Sequence, residues 1–351
     1  MTMARGAAPV ALSYRALTTR RIAMLVMGTT VLAACLVGDV LTGPAMLSVG
    51  DVISALIAPS TAPRMTAVIV WDIRLPMTLM AIVVGAALSI AGAAMQTILG
   101  NPLASPYTLG FSAAAGFGAS TVILTGASLP LLPSMTVPLA AFVSCGAAAA
   151  LVYGFSRVRG MSPEVMVLAG IATLFLFQSL QSMVQYLAAP EVLQAIVFWL
   201  FGSLLKASWD TLPVAATILV LGTAALVPDL WRLTALRLGD ERAAAIGVDV
   251  RALRVKVFAL VALLTAGAVA FVGTIGFVGL VAPHVARGLV GEDQRFLMPM
   301  AALCGAILMT AASILSKLIA PGTVIPIGIV TAVVGVPFLF ALILRGRRRH
   351  W

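Results

Sequence analysis

The sequence predicts an all-α, polytopic membrane protein of about ten transmembrane helices in one domain. Three observations predict it. The 351 residues are 61% hydrophobic and 10% charged, against about 25% charged in soluble domains. Apolar runs of about 20 residues, the length at which a helix crosses a hydrocarbon core of roughly 30 Å, recur along the chain. The lysines and arginines fall between those runs, with a strong bias to one side.

The spans are read in order as 22–41, 75–97, 107–126, 131–155, 163–187, 211–228, 254–276, 278–290, 297–318 and 325–344. Arg20 and Arg21 precede the first, and "LAAC" at Leu32 to Cys35 resembles a lipoprotein processing site. The run continues past that cysteine to about Leu41, so it is read as a retained helix. The polar excursion after it contains a short helix starting near Ser48. The third span is rich in Gly and Ala. The eighth is short and contains Pro283. Glu191 to Lys206 is apolar but is read as an interfacial helix, with Trp199 and Trp209 at headgroup depth. The domain organisation is therefore an N-terminal tail over 1–21, a transmembrane domain over 22–344 and a basic tail over 345–351.

With ten spans both termini share a side. That side receives the arginines of the two tails, Arg157 and Arg159, Arg287 and Arg295, and the group Arg232, Arg237, Arg242, Arg251, Arg254 and Lys256. The opposite side receives Arg64, Arg74, Lys206 and Lys317. The bias places the first side, and both termini, in the cytoplasm. The net charge of +10 is thus an orientation signal and does not point to nucleic acid. Cys35, Cys145 and Cys304 lie apart within apolar stretches and are read as buried hydrophobes without a disulfide framework.

"GDERAAAIGVDVRALR", Gly239 to Arg254, is the most charged internal segment. Asp240 and Glu241 suit the first turn of a helix, where negative charge meets the positive end of the dipole. Ala244 lies within it, Gly247 is a natural left-handed stop, and Asp249 is placed to cap the next helix. Two short helices joined at a glycine, over about 239–253, are expected outside the membrane.

At these residues the chain resembles the iron-chelate (siderophore and haem) and cobalamin permeases of type II ABC importers. In "RLPMTLMAIVVGAALSIAGAAMQTILGNPLASPYTLG" (Arg74 to Gly110) the matching elements are R-L-P, G-x-x-L, G-x-x-x-Q, N-P-L-A-x-P and L-G. "LRLGDERAAAIGVDV", "GTIGFVGLVAPHVAR" (Gly273 to Arg287) and "IPIGIVTAVVGVPFLFALIL" (Ile325 to Leu344) follow in the family's order. The resemblance implies a permease working as a homodimer or with a paired homologue, in the bacterial inner membrane. It also implies two ATP-binding subunits that hold ATP and magnesium, and a periplasmic substrate-binding protein. Gly239, Asp240, Glu241, Ala244 and Gly247 correspond to the segment that docks on the ATPase. Arg74 matches a family arginine that docks the binding protein, and Lys317 occupies a second basic docking position. Met161, Ser162, Pro163 and Glu164 align with a cytoplasmic gate. The chain departs from the family at Met77, where a second arginine is usual, and at Val324, near which a glutamate is usual.

Gln178, Gln181, Ser182 and Gln185 fall at i, i+3, i+4 and i+7 of span five and share one helix face. They are read as lining the pathway or as hydrogen-bonding glue between helices; Gln96 is a similar case. His284 stands alone, so no metal site is expected, and no cofactor is expected in this chain. It has no G-x-x-x-x-G-K-[ST] phosphate loop, so ATP hydrolysis belongs to another chain and no enzyme is expected here. Asp39, Asp72, Glu164, Glu191, Asp210 and Lys317 all fall near span ends, whereas an ion-coupled secondary transporter usually carries an ionisable residue deep in a span. A ferric siderophore is the expected cargo, with haem or cobalamin as alternatives.

Overall fold

In the computed structural model, residues 7–45, 47–320 and 322–345 are described, and within them the chain is helical without strands. The helices are α1 (Ala7–Leu41), α2 (Val49–Ile57), α3 (Arg64–Val68), α4 (Leu75–Ile98), α5 (Phe111–Thr125), α6 (Thr136–Val158), α7 (Pro163–Leu187) and α8 (Pro190–Leu200). They continue with α9 (Thr211–Leu226), α10 (Leu230–Leu236), α11 (Asp240–Ala245), α12 (Val250–Val272), α13 (Val278–Val290), α14 (Gln294–Leu318) and α15 (Ile327–Arg345). Among the described residues, seven helical segments are long and apolar enough to cross a membrane. Four shorter apolar helices, α5, α8, α13 and α15, accompany them, and the seven with α5, α13 and α15 correspond to the ten expected spans. The basic tail beyond Arg345 lies outside the described residues.

The edges differ from the sequence reading where local chemistry overrides it. Helix α1 begins at Ala7, so much of the expected tail continues the first span. The second span does not start at Leu75. Helix α3, a π-helical turn over Ile69–Arg74 and α4 form one continuous rod from Arg64. Pro76 would ordinarily stop such a rod by removing an i→i−4 hydrogen bond. Here the backbone widens ahead of it, and the Leu75 amide donates to the Val70 carbonyl, five residues back. Ser48 starts α2 with a reciprocal capping box to Asp51.

Helix α4 is the hub. It is the most deeply buried of the long spans and packs against α14, α12, α13 and α9. Two glycine pairs bring its backbone against its neighbours. A β-carbon on Gly85 would lie 2.3 Å from the Gly305 carbonyl oxygen of α14, and one on Gly92 would lie 1.8 Å from the Gly279 carbonyl oxygen of α13. Small residues permit such approach where lipid supplies no hydrophobic drive between helices. Helices α5, α6 and α7 form a second group joined to the hub through α12. Helix α8 rests on α5 with one face: Ile196 and Trp199 are buried, Trp199 in the core and not at headgroup depth, while Glu191, Gln194 and Phe198 are exposed on the other. Trp209 is exposed, and its indole donates to the Trp71 carbonyl at 2.9 Å.

Candidate functional site

The charged segment forms an arm at one end of the bundle, called here the arm end. Gly239 turns the chain with φ of 100°, α11 follows, and Gly247 ends it with φ of 88°. Asp240 and Glu241 occupy the first turn as expected. Glu241 and Ala244 are exposed, Ala243 is buried beneath them, and the apolar side chains of Leu238 and Ile246 flank the helix in the open. Asp249 accepts from the Ala252 amide at 2.9 Å and starts α12. One expectation is corrected here: the helix after Gly247 is not short. Once capped, nothing in "VRALRVKVFALV" interrupts it, and it runs unbroken to Val272. The compact pair is α10 and α11.

Two charged links tie the arm to the last turn of α4, where the amides of residues 99–101 take up the Met95, Gln96 and Thr97 carbonyls and Arg254 that of Ile98. Arg254, nearly buried, donates from Nη2 to Asp240 Oδ1 at 2.6 Å and from Nε to the Ile98 carbonyl at 3.0 Å. Arg237 pairs with Glu292 Oε1 at 2.7 Å, Glu292 Oε2 accepts from Arg287 Nε at 3.1 Å, and Arg287 Nη2 donates to Gln96 Oε1 at 2.9 Å. Of the two readings of Gln96, its geometry fits the interhelical hydrogen bond: it is buried in this network with Oε1 on the Arg287 guanidinium. Beside it Gln294 donates to Thr97 Oγ1 at 3.0 Å. Asp293 caps α14, and the hydrogen bond from Arg295 holds its carboxyl below the usual carboxylate range.

A cavity of about 640 Å³ opens where four chain reversals meet. Its walls carry the hydroxyls of Ser105, Tyr107, Thr108 and Thr274 and the rings of Phe201 and Phe277. The reversals are stitched by backbone bonds: Ser203 donates to Val272 at 2.7 Å, Ile327 to Gly202 at 3.0 Å and Gly328 to Phe201 at 3.1 Å. The Thr274 hydroxyl donates to the Leu200 carbonyl. Phe277 starts α13 from a left-handed φ of 68°, a costly conformation for a bulky side chain that persists only where surroundings enforce it. Within α13, Pro283 has no amide to give the Gly279 carbonyl four residues back. That carbonyl is the one lying against Gly92. His284 lies edge-on to Phe338, 5.9 Å between ring centres, and among the described residues no three His, Cys, Asp or Glu side chains converge as a metal site.

The face of α7 stands apart from that cavity. Gln178 and Ser182 are exposed, Gln181 and Gln185 are partly covered, and Ser182 donates to the Gln178 carbonyl at 2.9 Å. Met161, buried with φ of 59°, and Ser162, which caps α7, form the helix start at Pro163. Pro163 and Glu164 border a separate hollow of about 450 Å³ with Leu99 and Asn101.

At the end opposite the arm, Arg74 and Lys317 are buried, 3% and 5% exposed, so neither presents its charge on an open rim. Arg74 Nη1 donates to the Val40 and Leu41 carbonyls at 3.0 Å each. Lys317 donates to the Asp39 carbonyl at 3.0 Å and pairs with its carboxylate at 2.9 Å. Thr78 donates to the other oxygen of that carboxylate at 2.5 Å. Both expected docking residues thus lie inward of the rim, where the two cations cap the C-terminus of α1 and the dipole favours positive charge. The signal missed in the sequence was Asp39, the acid that balances them. Glu292 was missed as well.

The residues from 30 to 345 match the model of the FecCD transport family. The haemin transport system permease HmuU of Yersinia pestis is 38% identical, over 80% of this chain and 85% of that protein. The Fe(3+)-citrate import system permease YfmD of Bacillus subtilis is 36% identical, over 80% and 82%. A solved structure described as an inward-facing conformation of a metal-chelate type ABC transporter superposes with a TM-score of 0.81 at 31% identity, covering 92% of this chain and 98% of the other.

Proposed function

The chain belongs to the FecCD transport family, and from that premise we propose that it is the permease subunit of a binding-protein-dependent ABC importer carrying a ferric siderophore. Two copies, or one copy and a homologue, form the pathway in the inner membrane, with the arm end and both termini cytoplasmic. A separate ATPase docks on α11 and the exposed residues around it. A periplasmic binding protein delivers cargo to the opposite end. The observation that carries the reading is the arm itself: a short helix, pinned by two charged links to the bundle, with Glu241, Ala244, Leu238 and Ile246 open to a partner. Such a unit can pass a rigid-body displacement inward.

The cavity supports the cargo class. Its lining offers hydroxyls and aromatic rings and no formal charge, which suits iron already wrapped in an organic ligand. A haemin carrier and a ferric citrate carrier match this chain equally well, so specificity is assigned largely to the binding protein. The test is to purify the tagged chain in detergent from its host and identify copurifying chains by mass spectrometry. A stoichiometric ATP-binding subunit is expected. The neighbouring binding protein is then titrated with ferric siderophores, haem and cobalamin. Recovery of the permease alone, under crosslinking as well, would overturn the importer reading; tighter binding of haem or cobalamin would replace the cargo.

A further inference from the structure

We infer that α13 is a lever that carries motion of the arm to the central cavity, and that Glu292 is the residue on which the arm pulls. The inference rests on the importer reading and goes beyond it by assigning the internal linkage.

Three observations define the lever. The first is the load point. Glu292 offers one carboxylate oxygen to Arg237, which precedes the arm's Gly239, and the other to Arg287 in the last turn of α13. One side chain therefore holds the arm and α13 together, and it does so in the loop between α13 and α14 rather than within either helix. The second is the pivot. Pro283 leaves the Gly279 carbonyl without its helical donor, and that carbonyl bears on Gly92 of α4. Helix α4 is itself fixed, locked to α14 at Gly85 and Gly305. The third is the output. Phe277 and Thr274, just before α13, lie in the cavity wall, and Phe277 is already held at a left-handed φ of 68°.

The distances along α13 set the leverage. Arg287 is eight residues from Gly279, about 12 Å at 1.5 Å per residue, and Phe277 is two residues on the other side, about 3 Å. A displacement at the arm is reduced but applied with more force at the cavity wall. The second link, Asp240 to Arg254 to the Ile98 carbonyl, anchors the arm to the fixed helix. The arm is thus held to α4 through Arg254 and, through Glu292, to Arg287 of α13. The hydrogen bond from Arg287 to Gln96 of α4 is the contact that a rotation of the arm would stretch as it moves α13 against α4. Glu292, Arg237 and Arg287 act here as positioning residues.

The experiment is nucleotide-dependent labelling of the cavity. Cys35, Cys145 and Cys304 are replaced by Ala, and Ala332→Cys places a thiol in the cavity wall. The assembly with its copurifying ATPase is labelled with a maleimide, with and without a non-hydrolysable ATP analogue. In the otherwise unaltered chain the labelling rate should change severalfold on nucleotide binding. With Glu292→Gln that change should fall to less than twofold while the ATPase remains bound and hydrolyses ATP. Arg237→Gln, which cuts the same link from the arm side, should do the same, and the double variant should be no worse than either single one. A full response in both variants overturns the lever and leaves the importer reading standing. No response in the unaltered chain with the ATPase bound overturns the lever, whereas the importer reading falls only if no ATPase copurifies. Should Glu292→Gln fail to assemble, Arg237→Gln decides alone.

Discussion

The Gly279 carbonyl of α13 bears directly on Gly92 of α4, in the space where any β-carbon of residue 92 would have to go. The neighbour is backbone and has no rotamer to change. Gly92→Ala should therefore separate the two helices and destabilise the protein by about 1–3 kcal/mol or more, the range for overpacked cores. Gly146→Ala is the contrast. It is a helical position in α6 with nothing within 4 Å of the added carbon, and the change should be neutral or stabilising by up to about 1 kcal/mol. Thermal melting of the two variants in detergent reads the difference.

Asp39 and Lys317 form a buried pair at the opposite end. Removing one partner leaves a charge without compensation, and Lys317→Met or Asp39→Leu alone should cost about 3–5 kcal/mol. Removing both should recover much of that loss. If the pair were instead a docking device, Lys317→Met would fold normally and only weaken capture of the binding protein. Melting of the single and double variants, beside a binding-protein pull-down, separates the two outcomes.

Asp240 and Glu241 are adjacent but differ in role. Asp240 is held by Arg254, and Glu241 is exposed. Asp240→Lys should lower the melting temperature and impair transport together. Glu241→Lys should leave melting unchanged and lose ATP-driven uptake, by tenfold or more if the residue meets the ATPase. Uptake and ATP hydrolysis in vesicles, measured beside the melting curves, check both.

Asp293 gives a pH dependence. Its carboxyl is held low, chiefly by the hydrogen bond from Arg295. A folded pKa below the unfolded value near 4 contributes stability that is present in full above that value. The contribution is lost as pH falls through the folded value. The unaltered protein should therefore lose melting temperature more steeply than Asp293→Asn between about pH 5 and pH 3, and the two curves should approach each other at the acid end.

The spans were legible because lipid imposes a length and a composition on every helix that crosses it. The arm was legible because its two glycines and its capping aspartate act within a few residues of themselves. What the sequence hid was long-range. Arg74 and Lys317 lie at span ends, where an isolated basic residue ordinarily reaches outward along its apolar stem to the interface. Only folding brings Asp39 to them. Trp199 follows an apolar stretch of interfacial character, and its burial depends on the reversal at Gly202. Gln96 belongs to a polar network because Arg287, 191 residues away, reaches it. Glu292 stands between two helices like any solvated loop acid. Its meaning lies in two arginines that its neighbours in sequence do not disclose.

The Asp39–Lys317 pair also orders assembly in time. Asp39 enters the membrane 278 residues ahead of its partner. At a synthesis rate of about 5–20 residues per second it waits roughly 15–55 s. Arg74 and Thr78 reach the end of the first helix early, but through that interval its acid lacks the lysine that finally pairs with it. Any chain cut short before the ninth span keeps that acid unpaired. The ion pair therefore works as a completeness check: the latch between the first helix and α14 closes only after nearly all of the bundle has been made.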